Sequence, residues 1–290
     1  MTGRFRDAQP LERGWSGETK LRFTAPDGLQ CLARLTPADK RERMAEVYRI
    51  MEQVAALGVP MCRPLEHGVW DGHAYIVQTW VDGEELEQAL PRFSPAQQYA
   101  LGQEAGRILA LIHTLPGDAQ PPWAERFGRK LDKTVRTYHD CPLKLADGDL
   151  FLRTAEQYRP LLATRPVTVQ HGDFHVGNML LGPDGRVHII DFNRARTGDP
   201  WEEFRRIQWC VRVSPAFARG MVDGYFPCGA PEDFWRMLQL YTAATTLGSL
   251  AWAIPFGEEE VAVMREHARL ALDSWDGMTR LVPRWYEEAT

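Results

Sequence analysis

The sequence predicts an α+β protein of two unequal lobes, a small β-rich lobe followed by a large, mostly helical lobe. In the first 80 residues, runs of β-forming residues and turn signals surround a single helical stretch. From residue 82 onward, apolar residues recur at helical spacing and only short strand-like runs interrupt them. We therefore expect a first lobe at residues 1–81 and a second at residues 82–290. The hinge should fall at about residues 78–84, with a cleft between the lobes.

The first lobe divides into a hairpin, a helix and a second hairpin. Residues 17–36 predict two strands joined by the turn Pro26-Asp27-Gly28. Residues 37–57 predict a helix, because their apolar side chains recur every three or four positions. Residues 62–81 predict a second pair of strands that turns at Asp71-Gly72.

The second lobe is dominated by helical patterns. Residues 95–113 are strongly amphipathic, and residues 150–163 predict another helix. Two short strands are predicted at residues 167–172 and 187–192, with the turn sequence GPDGR between them. After residue 200 the pattern is helical again and rich in Trp and Phe.

Composition excludes several classes of protein. The 290 residues are 44% apolar and 25% charged, as in an ordinary globular protein with a large core. The net charge of −5, with no basic stripe, argues against binding to nucleic acid. Five scattered cysteines without C-x-x-C spacing argue against a disulfide framework and a zinc site. No apolar run is long enough for a membrane span or a signal peptide, so we expect a cytoplasmic protein.

The stretch VQHGDFHVGNMLL, residues 169–181, concentrates polar side chains between apolar flanks. His171 and His175 have the spacing of a zinc-binding H-E-x-x-H helix, but Gly172 and Gly177 argue against a helix there. A hydrolytic site would need a nucleophile motif such as G-x-S-x-G, which the sequence lacks. Both interpretations leave most of these residues without a role.

Phosphoryl transfer uses more of the same residues. It requires an acid that orients the attacking hydroxyl, oxygen ligands for Mg²⁺, and positive charge near the phosphates. Asp173 can be that acid. Asn178 offers a neutral oxygen, and Asp191 offers a charged one at the end of a predicted strand.

The spacing His171-x-Asp173-x₄-Asn178 matches the protein-kinase catalytic loop, and the sequence DFN begins at Asp191, where kinases carry DFG. HGDFHVGN followed by IIDFNRARTGDPWEEF resembles the aminoglycoside phosphotransferase / choline kinase-like family, and the order of the lobes extends the resemblance over most of the chain. The resemblance implies a bilobal protein-kinase-like fold, ATP or GTP as phosphate donor, and Mg²⁺. It further implies that Asp173 is the catalytic base, that Asn178 and Asp191 bind the metal, and that His171 braces the loop.

The first lobe should then bind the nucleotide. The segment RGWSGETK contains Gly14, Ser16 and Gly17, and its backbone N–H groups could approach phosphates. Arg34 occupies the strand position where a phosphate-binding lysine is expected, and its guanidinium can serve instead.

The remaining nucleotide contacts are predicted from the helix and the hinge. Glu46 is the predicted acidic partner of Arg34, and Glu42, one helical turn earlier, is the alternative. Gln78 and Trp80 fall in the hinge segment, whose backbone groups would bind the nucleobase.

The acceptor is predicted to be a small molecule. Gly198-Asp199-Pro200 follows the DFN sequence so closely that there is no room for the peptide platform of a protein kinase. We expect this tripeptide to be structural, with Asp199 fixing the helix that follows.

The identity of the acceptor stays open. An aminoglycoside-like molecule or another amino or sugar alcohol is predicted first. The alternatives are a normal metabolite of the choline, homoserine, fructosamine or thio-sugar type, and a non-catalytic nucleotide-binding protein on the same fold. A cationic acceptor would need acidic side chains, for which Glu258 to Glu260, Asp273 and Asp276 are candidates, although each is better explained as the charged face of a surface helix. The expected partners are this acceptor and a nucleoside triphosphate, with no nucleic acid and no membrane, and the chain is expected to be a monomer or weak dimer.

Overall fold

The computed structural model describes residues 5, 8–11, 17–118 and 121–288. The strands in this part of the chain are β1 (Gln9–Pro10), β2 (Thr19–Thr24), β3 (Gln30–Pro37), β4 (Pro64–Trp70), β5 (His73–Thr79), β6 (Glu84–Glu85), β7 (Thr168–Gln170), β8 (Met179–Leu181), β9 (Val187–Ile189) and β10 (Arg196–Gly198). The α-helices are α1 (Arg41–Ala56), α2 (Leu86–Ala89), α3 (Pro95–Ile112), α4 (Trp123–Asp140), α5 (Gly148–Tyr158), α6 (Ile207–Val213), α7 (Pro215–Tyr225), α8 (Glu232–Ala253), α9 (Glu258–Trp275) and α10 (Arg284–Glu287). Short 3₁₀ helices occupy Ala38–Lys40, Leu90–Arg92, Arg159–Thr164, Val176–Asn178, Phe192–Arg194, Pro200–Arg206 and Ile254–Phe256.

The chain forms two compact units. The first runs to Ala89 and also contains His171–Asp173 and Asn178–Arg196. It extends beyond the boundary predicted at residue 81 because β6 pairs with β8 and so joins the segment around residue 180 to the first unit. These units are defined by contacts within the chain, so the predicted division into lobes at residue 81 stays a prediction. The remaining residues form the second unit, which is mostly helical.

A five-stranded antiparallel sheet with the order β1-β2-β3-β5-β4 forms most of the first unit. Both predicted turns are confirmed. Gly28 has a φ of 89°, and Asp71 and Gly72 have φ values of 48° and 73°, the left-handed pair that a tight hairpin turn requires. The side chains on one face of the sheet form a buried apolar cluster, because alternate residues of a strand point to the same side. Its core members are Leu21, Cys31, Ala33, Leu35, Tyr75 and Val77 of the sheet, together with Phe5 from the chain before the first strand.

Helix α1 packs on strands β4 and β5. Its buried residues, among them Met44, Val47 and Met51, recur at the spacing that predicted the helix, so the prediction for residues 37–57 is confirmed apart from an initial 3₁₀ turn. A second sheet with the order β6-β8-β9 completes the first unit. Strand β8 is absent from the sequence prediction, because three residues are too few to show an alternating pattern.

The second unit begins with α3, whose predicted position is confirmed. Ser94 caps this helix with a capping box, in which its hydroxyl oxygen accepts from the backbone N–H of Gln97 and the Gln97 side chain accepts from the backbone N–H of Ser94. Helix α5 and the 3₁₀ helix after it cover the region predicted as one helix at residues 150–163. Among the described residues, no helix is both long and apolar enough to cross a membrane.

Helices α3 and α7 approach each other through glycines. A Cβ atom at Gly102 or Gly106 of α3 would overlap backbone carbonyl oxygens of α7. A Cβ atom at Gly220 or Gly224 of α7 would likewise overlap carbonyl oxygens of α3. The two backbones are therefore in direct contact, as in the close helix crossings that small residues spaced four apart allow.

Asp199 fixes the 3₁₀ helix that follows it, as the sequence predicts. Its carboxylate is fully buried and accepts a hydrogen bond from the backbone N–H of Trp201 at 3.0 Å. Arg165 donates two further hydrogen bonds to it at 2.8 and 2.9 Å, and the hydroxyl of Tyr241 donates another. Burial raises the pKa of Asp199 despite these donors, and the group belongs to the structural core of the second unit.

Candidate active site

The hairpin formed by β8 and β9 brings the two predicted metal ligands to one end of the first unit. Met179 lies opposite Ile189 in this antiparallel pair, so Asn178 precedes one strand where Asp191 follows the other. The backbone N–H of Ile190 donates to the backbone oxygen of Asn178 at 3.0 Å and fixes this end of the hairpin. The distance of Asn178 from Asp191 in the sequence therefore reflects the two arms of one hairpin.

A hydrogen bond from the side chain of Asn178 holds Asp173 at the same end of the hairpin. The amide nitrogen of Asn178 donates to the backbone oxygen of Asp173 at 2.9 Å. With the amide nitrogen used by the loop, the amide oxygen is the atom that can face a cation. The Asp173 carboxylate lies 3.7 Å from a guanidinium nitrogen of Arg194, and its side chain is 15% exposed.

His171 holds this loop against the strand that ends at Asp191. Its side chain is fully buried, with Nε2 2.9 Å from the backbone oxygen of Ile190. Its Nδ1 accepts the backbone N–H of Asp173 at 3.3 Å, and the ring packs edge-on against Phe192 at 4.5 Å between centroids. This pattern requires the tautomer with the proton on Nε2 and supports the predicted bracing role.

Gly172 is required by the close approach of two segments. Its φ of 86° is in the left-handed region, and a Cβ atom there would overlap the backbone oxygen of Arg194. Only glycine therefore fits between His171 and the predicted catalytic acid.

Asp191 lies between two cations of the sheet. A guanidinium nitrogen of Arg34 is 2.7 Å from one carboxylate oxygen, and Nζ of Lys20 is 4.0 Å from the other. Burial alone would raise the pKa of Asp191, but the charges of Arg34 and Lys20 outweigh it and hold the pKa below its ordinary value. Asp191 is therefore ionised at neutral pH, as a metal ligand must be. Its φ of 67°, unusual for a residue other than glycine, directs the chain away from the strand.

The predicted pairing of Arg34 with Glu46 is wrong. The acidic partners of Arg34 are Glu18, whose carboxylate accepts from Nε at 2.9 Å and from a second guanidinium nitrogen, and Asp191. Glu46 instead pairs with Arg43 at 2.7 Å, and both of these side chains are well exposed. The physical reason is strand register, because β2 and β3 are adjacent and α1 packs on β4 and β5.

Lys20 is a functional candidate that the sequence analysis missed. It lies directly opposite Arg34 in the register of β2 and β3, so two cations point from the same face of the sheet. Like charges in this arrangement repel each other unless an anion lies near both. In the protein alone that anion is Asp191. The spacing Glu18-x-Lys20, where β2 begins at Thr19, places both side chains on the same side of the chain, but only the register of β2 against β3 shows that they meet Arg34.

The other predicted nucleotide contacts are placed as follows. Gly14 and Ser16 lie outside the described residues, and Gly17 has a φ of 64°. Gln78 is buried on β5, on the same face as Arg34. The backbone N–H of Trp80 donates to the backbone oxygen of Gln30 at 2.8 Å, so the sheet rather than a ligand uses it. A nucleotide-binding role for these residues stays a prediction.

The donor set fits Mg²⁺. Asn178 and Asp191 provide one neutral and one charged oxygen, and Mg²⁺ prefers few protein oxygens completed by phosphate oxygens and water. Across the described residues, no group of three or more His, Cys, Asp or Glu side chains is placed to hold a metal ion. A site of one amide and one carboxylate does not need such a group.

The acidic residues considered as acceptor contacts belong to helix surface. Glu258 and Glu259 are exposed in the first turn of α9, where negative charge favours the helix dipole. Asp273 lies 2.7 Å from Arg269, and Asp276 lies 3.2 Å from Arg284. Asp273 and Asp276 nevertheless line a surface pocket together with Asp147, so a role of these acids in acceptor binding stays a prediction.

The family described as "APH: Phosphotransferase enzyme family" matches residues 7–239, most of the chain. The chain belongs to this family. It is therefore a phosphotransferase enzyme, and the resemblance stated from its motifs is confirmed. No match was found among curated protein sequences.

Solved structures of similar fold include several small-molecule kinases. Aminoglycoside phosphotransferase APH(4)-Ia is 17% identical, with a TM-score of 0.67 over 92% of this chain and 93% of that chain. Amicoumacin kinase hAmiN, in complex with AMP-PNP, Ca²⁺ and Ami, is 14% identical, with a TM-score of 0.65 over 97% and 92%. The gentamicin complex of APH(2″)-IIa is 16% identical, with a TM-score of 0.65 over 91% of both chains. At these identities the likeness shows the fold, and it confirms the predicted kinase-like fold class.

Proposed function

We propose that this member of the phosphotransferase enzyme family transfers the γ-phosphate of ATP or GTP, with Mg²⁺, to a hydroxyl group of a small molecule. The observation that carries the proposal is the convergence of Asp173, Asn178 and Asp191. One loop and one hairpin hold all three, and hydrogen bonds of 2.9 and 3.0 Å connect the segments. An acid, an amide and a second acid in this arrangement match the parts that phosphoryl transfer needs.

Each of these residues receives a distinct role. Asp173 accepts the proton of the acceptor hydroxyl as the oxygen bonds to the γ-phosphorus and the bond to the β-phosphate oxygen breaks, which releases the nucleoside diphosphate. Asn178 and Asp191 hold Mg²⁺, which when bound neutralises charge on the phosphates. His171 keeps the Asp173 loop in place through its two hydrogen bonds.

Arg34 and Lys20 provide the positive charge for the phosphates. Both point to Asp191 in the protein alone, at 2.7 and 4.0 Å. Glu18 keeps Arg34 in position on the sheet independently of Asp191, because its carboxylate accepts from two other donors of the guanidinium. The cation is therefore oriented before the nucleotide arrives, which reduces the ordering needed on binding.

The acceptor that we propose is an aminoglycoside-like molecule or another amino or sugar alcohol. Two proteins of similar fold have been solved with antibiotics, APH(4)-Ia with ADP and hygromycin B and APH(2″)-IIa with gentamicin. A kinase of a normal metabolite of the choline, homoserine, fructosamine or thio-sugar type is the alternative within the same chemistry. A non-catalytic nucleotide-binding protein is the alternative outside it. We also propose a cytoplasmic location, supported by five free cysteines, of which four are buried, and a monomer or weak dimer as the assembly.

The proposal is tested by nucleoside diphosphate release from the purified full chain. ATP and GTP are each supplied with Mg²⁺ or with EDTA, over a panel of aminoglycosides, macrolides, amino alcohols and sugars. We expect release that depends on both Mg²⁺ and an acceptor. Nucleotide binding without turnover over the whole panel would favour the non-catalytic alternative.

The role of Asp173 is tested by the isosteric substitution Asp173→Asn. Loss of a general base should lower kcat by about 10²–10⁴-fold, while the thermal shift caused by ATP is retained. Asp140→Asn, on an exposed acid at the end of α4, is the matched control and should leave kcat unchanged. Turnover of Asp173→Asn at the rate of the control would remove Asp173 from the mechanism.

A further inference from the structure

The side chains on one face of the five-stranded sheet form rows of cross-strand neighbours. One row contains Lys20 on β2 and Arg34 on β3, the two cations proposed to bind the phosphates. The next row on the same face, two residues further along each strand, contains Arg22, Leu32 and Gln78. Successive rows on one face are about 6.7 Å apart. A nucleotide whose phosphates lie at the first row therefore places its base beside a neighbouring row.

The row on the other side of Arg34 is closed. It contains Thr36 and Ala74, which are 5% and 0% exposed. Helix α1 and the 3₁₀ helix Ala38–Lys40 both pack on β5, the strand of Ala74. In the row of Gln78, by contrast, Leu32 is only half-buried and offers apolar surface. A nucleoside attached to phosphates at Arg34 therefore extends toward Leu32 and Gln78.

Gln78 carries a buried oxygen that lacks a hydrogen-bond partner. No described residue donates to its Oε1, and the residue is 3% exposed, so bulk water does not satisfy this oxygen. Buried polar groups are almost always paired, and an unpaired one costs free energy. From the spacing of strands and rows, the Cα atom of Gln78 lies about 8 Å from that of Arg34, within the reach of one nucleotide. The missing donor can therefore come from the base.

A glutamine carboxamide presents an acceptor and a donor side by side. Adenine carries the complementary pair in its exocyclic amino group, N6, and its ring nitrogen N7, and glutamine binds these two atoms with two hydrogen bonds. The same edge of guanine carries acceptors at both O6 and N7, so the carboxamide oxygen would face an atom that cannot donate. In a site that excludes water, this mismatch is not compensated.

We propose that Gln78 selects adenine, so that ATP rather than GTP is the phosphate donor. The inference rests on the proposed function and narrows it, because that function allows both nucleotides. Oε1 of Gln78 accepts a hydrogen bond from N6, and the amide nitrogen donates to N7. A bidentate pair of this kind discriminates against the wrong base by roughly 5- to 150-fold.

Equilibrium binding to the purified full chain tests the selection and needs no acceptor. Isothermal titration calorimetry with Mg²⁺ gives the Kd of ATP, of GTP and of two analogues. In 7-deaza-ATP a carbon replaces N7, and purine riboside 5′-triphosphate lacks the N6 amino group. We expect ATP to bind about tenfold or more tightly than GTP, and each analogue to bind about fivefold or more weakly than ATP.

The variant Gln78→Met connects these differences to one side chain, because it removes both hydrogen-bonding groups at nearly constant volume. The Kd of ATP should rise about tenfold, and the loss caused by each analogue should shrink about fivefold, since the missing atom no longer has a partner. Met also removes an unpaired buried oxygen, so Tm should stay unchanged or rise. Gln53→Met, at an exposed position of α1, is the control and should leave every Kd as in wild type.

The two proposals fail in distinguishable ways. If neither ATP nor GTP binds in the presence of Mg²⁺, the proposed function is overturned. If nucleotide binds, three results overturn only the selection by Gln78. The first is a Kd of GTP equal to or below that of ATP. The second is a loss for the analogues that is as large in Gln78→Met as in wild type. The third is a Tm of Gln78→Met more than about 4 °C below that of Gln53→Met, which would show that the carboxamide pairs within the protein.

Discussion

Arg34 donates to two carboxylates at once, and replacing Glu18 by Gln removes the charge of one of them. Only 4% of the Arg34 surface is exposed, so its guanidinium depends on these partners rather than on water. Glu18 accepts from Nε and from a second guanidinium nitrogen of Arg34, and Asp191 accepts from a third. The Gln side chain has nearly the same shape as Glu and keeps one acceptor oxygen, so the substitution tests the charge and not the packing.

The expected magnitude follows from burial. Removing one partner of a buried ion pair costs about 3–5 kcal/mol when the other charge is left alone. Here Asp191 still neutralises Arg34 and the Gln oxygen can still accept a hydrogen bond, so we expect a loss of about 2 kcal/mol in the free energy of unfolding. For a chain of this size that loss lowers Tm by roughly 4–8 °C.

The assay is thermal unfolding of the full chain, followed by circular dichroism, with Glu46→Gln as the matched control. Glu46 and Arg43 form a pair whose side chains are about 40% exposed, and pairs of this kind contribute about 0–1 kcal/mol. Its Tm should therefore change by less than about 3 °C. If Glu46→Gln lowers Tm as much as Glu18→Gln does, the assignment of Glu18 as the partner of Arg34 is refuted.

Three further perturbations have calculable outcomes. Gly172→Ala should cost about 3 kcal/mol or more of stability and abolish turnover, because the new Cβ overlaps a backbone oxygen at a left-handed φ; urea unfolding and ADP release measure the two effects. Burial lowers the pKa of His113 to about 3 from about 6.5, so its contribution to stability is complete above pH 6.5 and is lost as the pH falls toward 3. Wild type should thus lose about 2 kcal/mol more than His113→Gln between pH 7 and pH 5 in urea unfolding. Lys20→Met should raise KM for ATP about tenfold in steady-state assays, equivalent to about 1.4 kcal/mol, while Tm stays nearly unchanged.

The first two of these have a matched control, and all three have a contradicting result. Gly185→Ala has a similar φ but open space around it, and should cost only about 1–2 kcal/mol. His139→Gln, on an exposed histidine, should leave the pH dependence of stability as in wild type. The argument for Gly172 is contradicted if both glycine variants lose the same stability. The argument for His113 is contradicted if His113→Gln loses as much stability between pH 7 and pH 5 as wild type does. The argument for Lys20 is contradicted if Lys20→Met keeps the wild-type KM for ATP.

Local signals predicted most of the first unit and the chemistry of its loop. The turn at Asp71-Gly72 was predictable because few residues adopt the left-handed conformation that it needs. The closeness of Asp173, Asn178 and Asp191 followed from motif spacing alone. The helix at residues 37–57 followed from its apolar period.

Features that depend on register or on distant segments were not predictable. Glu18 and Lys20 reach Arg34 and Asp191 because β2 and β3 pair in one register, and a shift of one residue would turn both to the other face. Glu46 looked equally suitable in the sequence, because nothing local tells which face of α1 meets which strand.

The glycine contact between α3 and α7 affects how a saturation mutagenesis of this chain would be interpreted. At Gly102, Gly106, Gly220 and Gly224 every substitution adds at least one carbon where a backbone oxygen already lies. Even alanine at these four positions should abolish activity in such a screen. The positions would then look as important for activity as Asp173. Their intolerance would report whether the helical unit assembles and would say nothing about chemistry. Protein abundance, measured alongside activity, separates these positions from those that act on the phosphate.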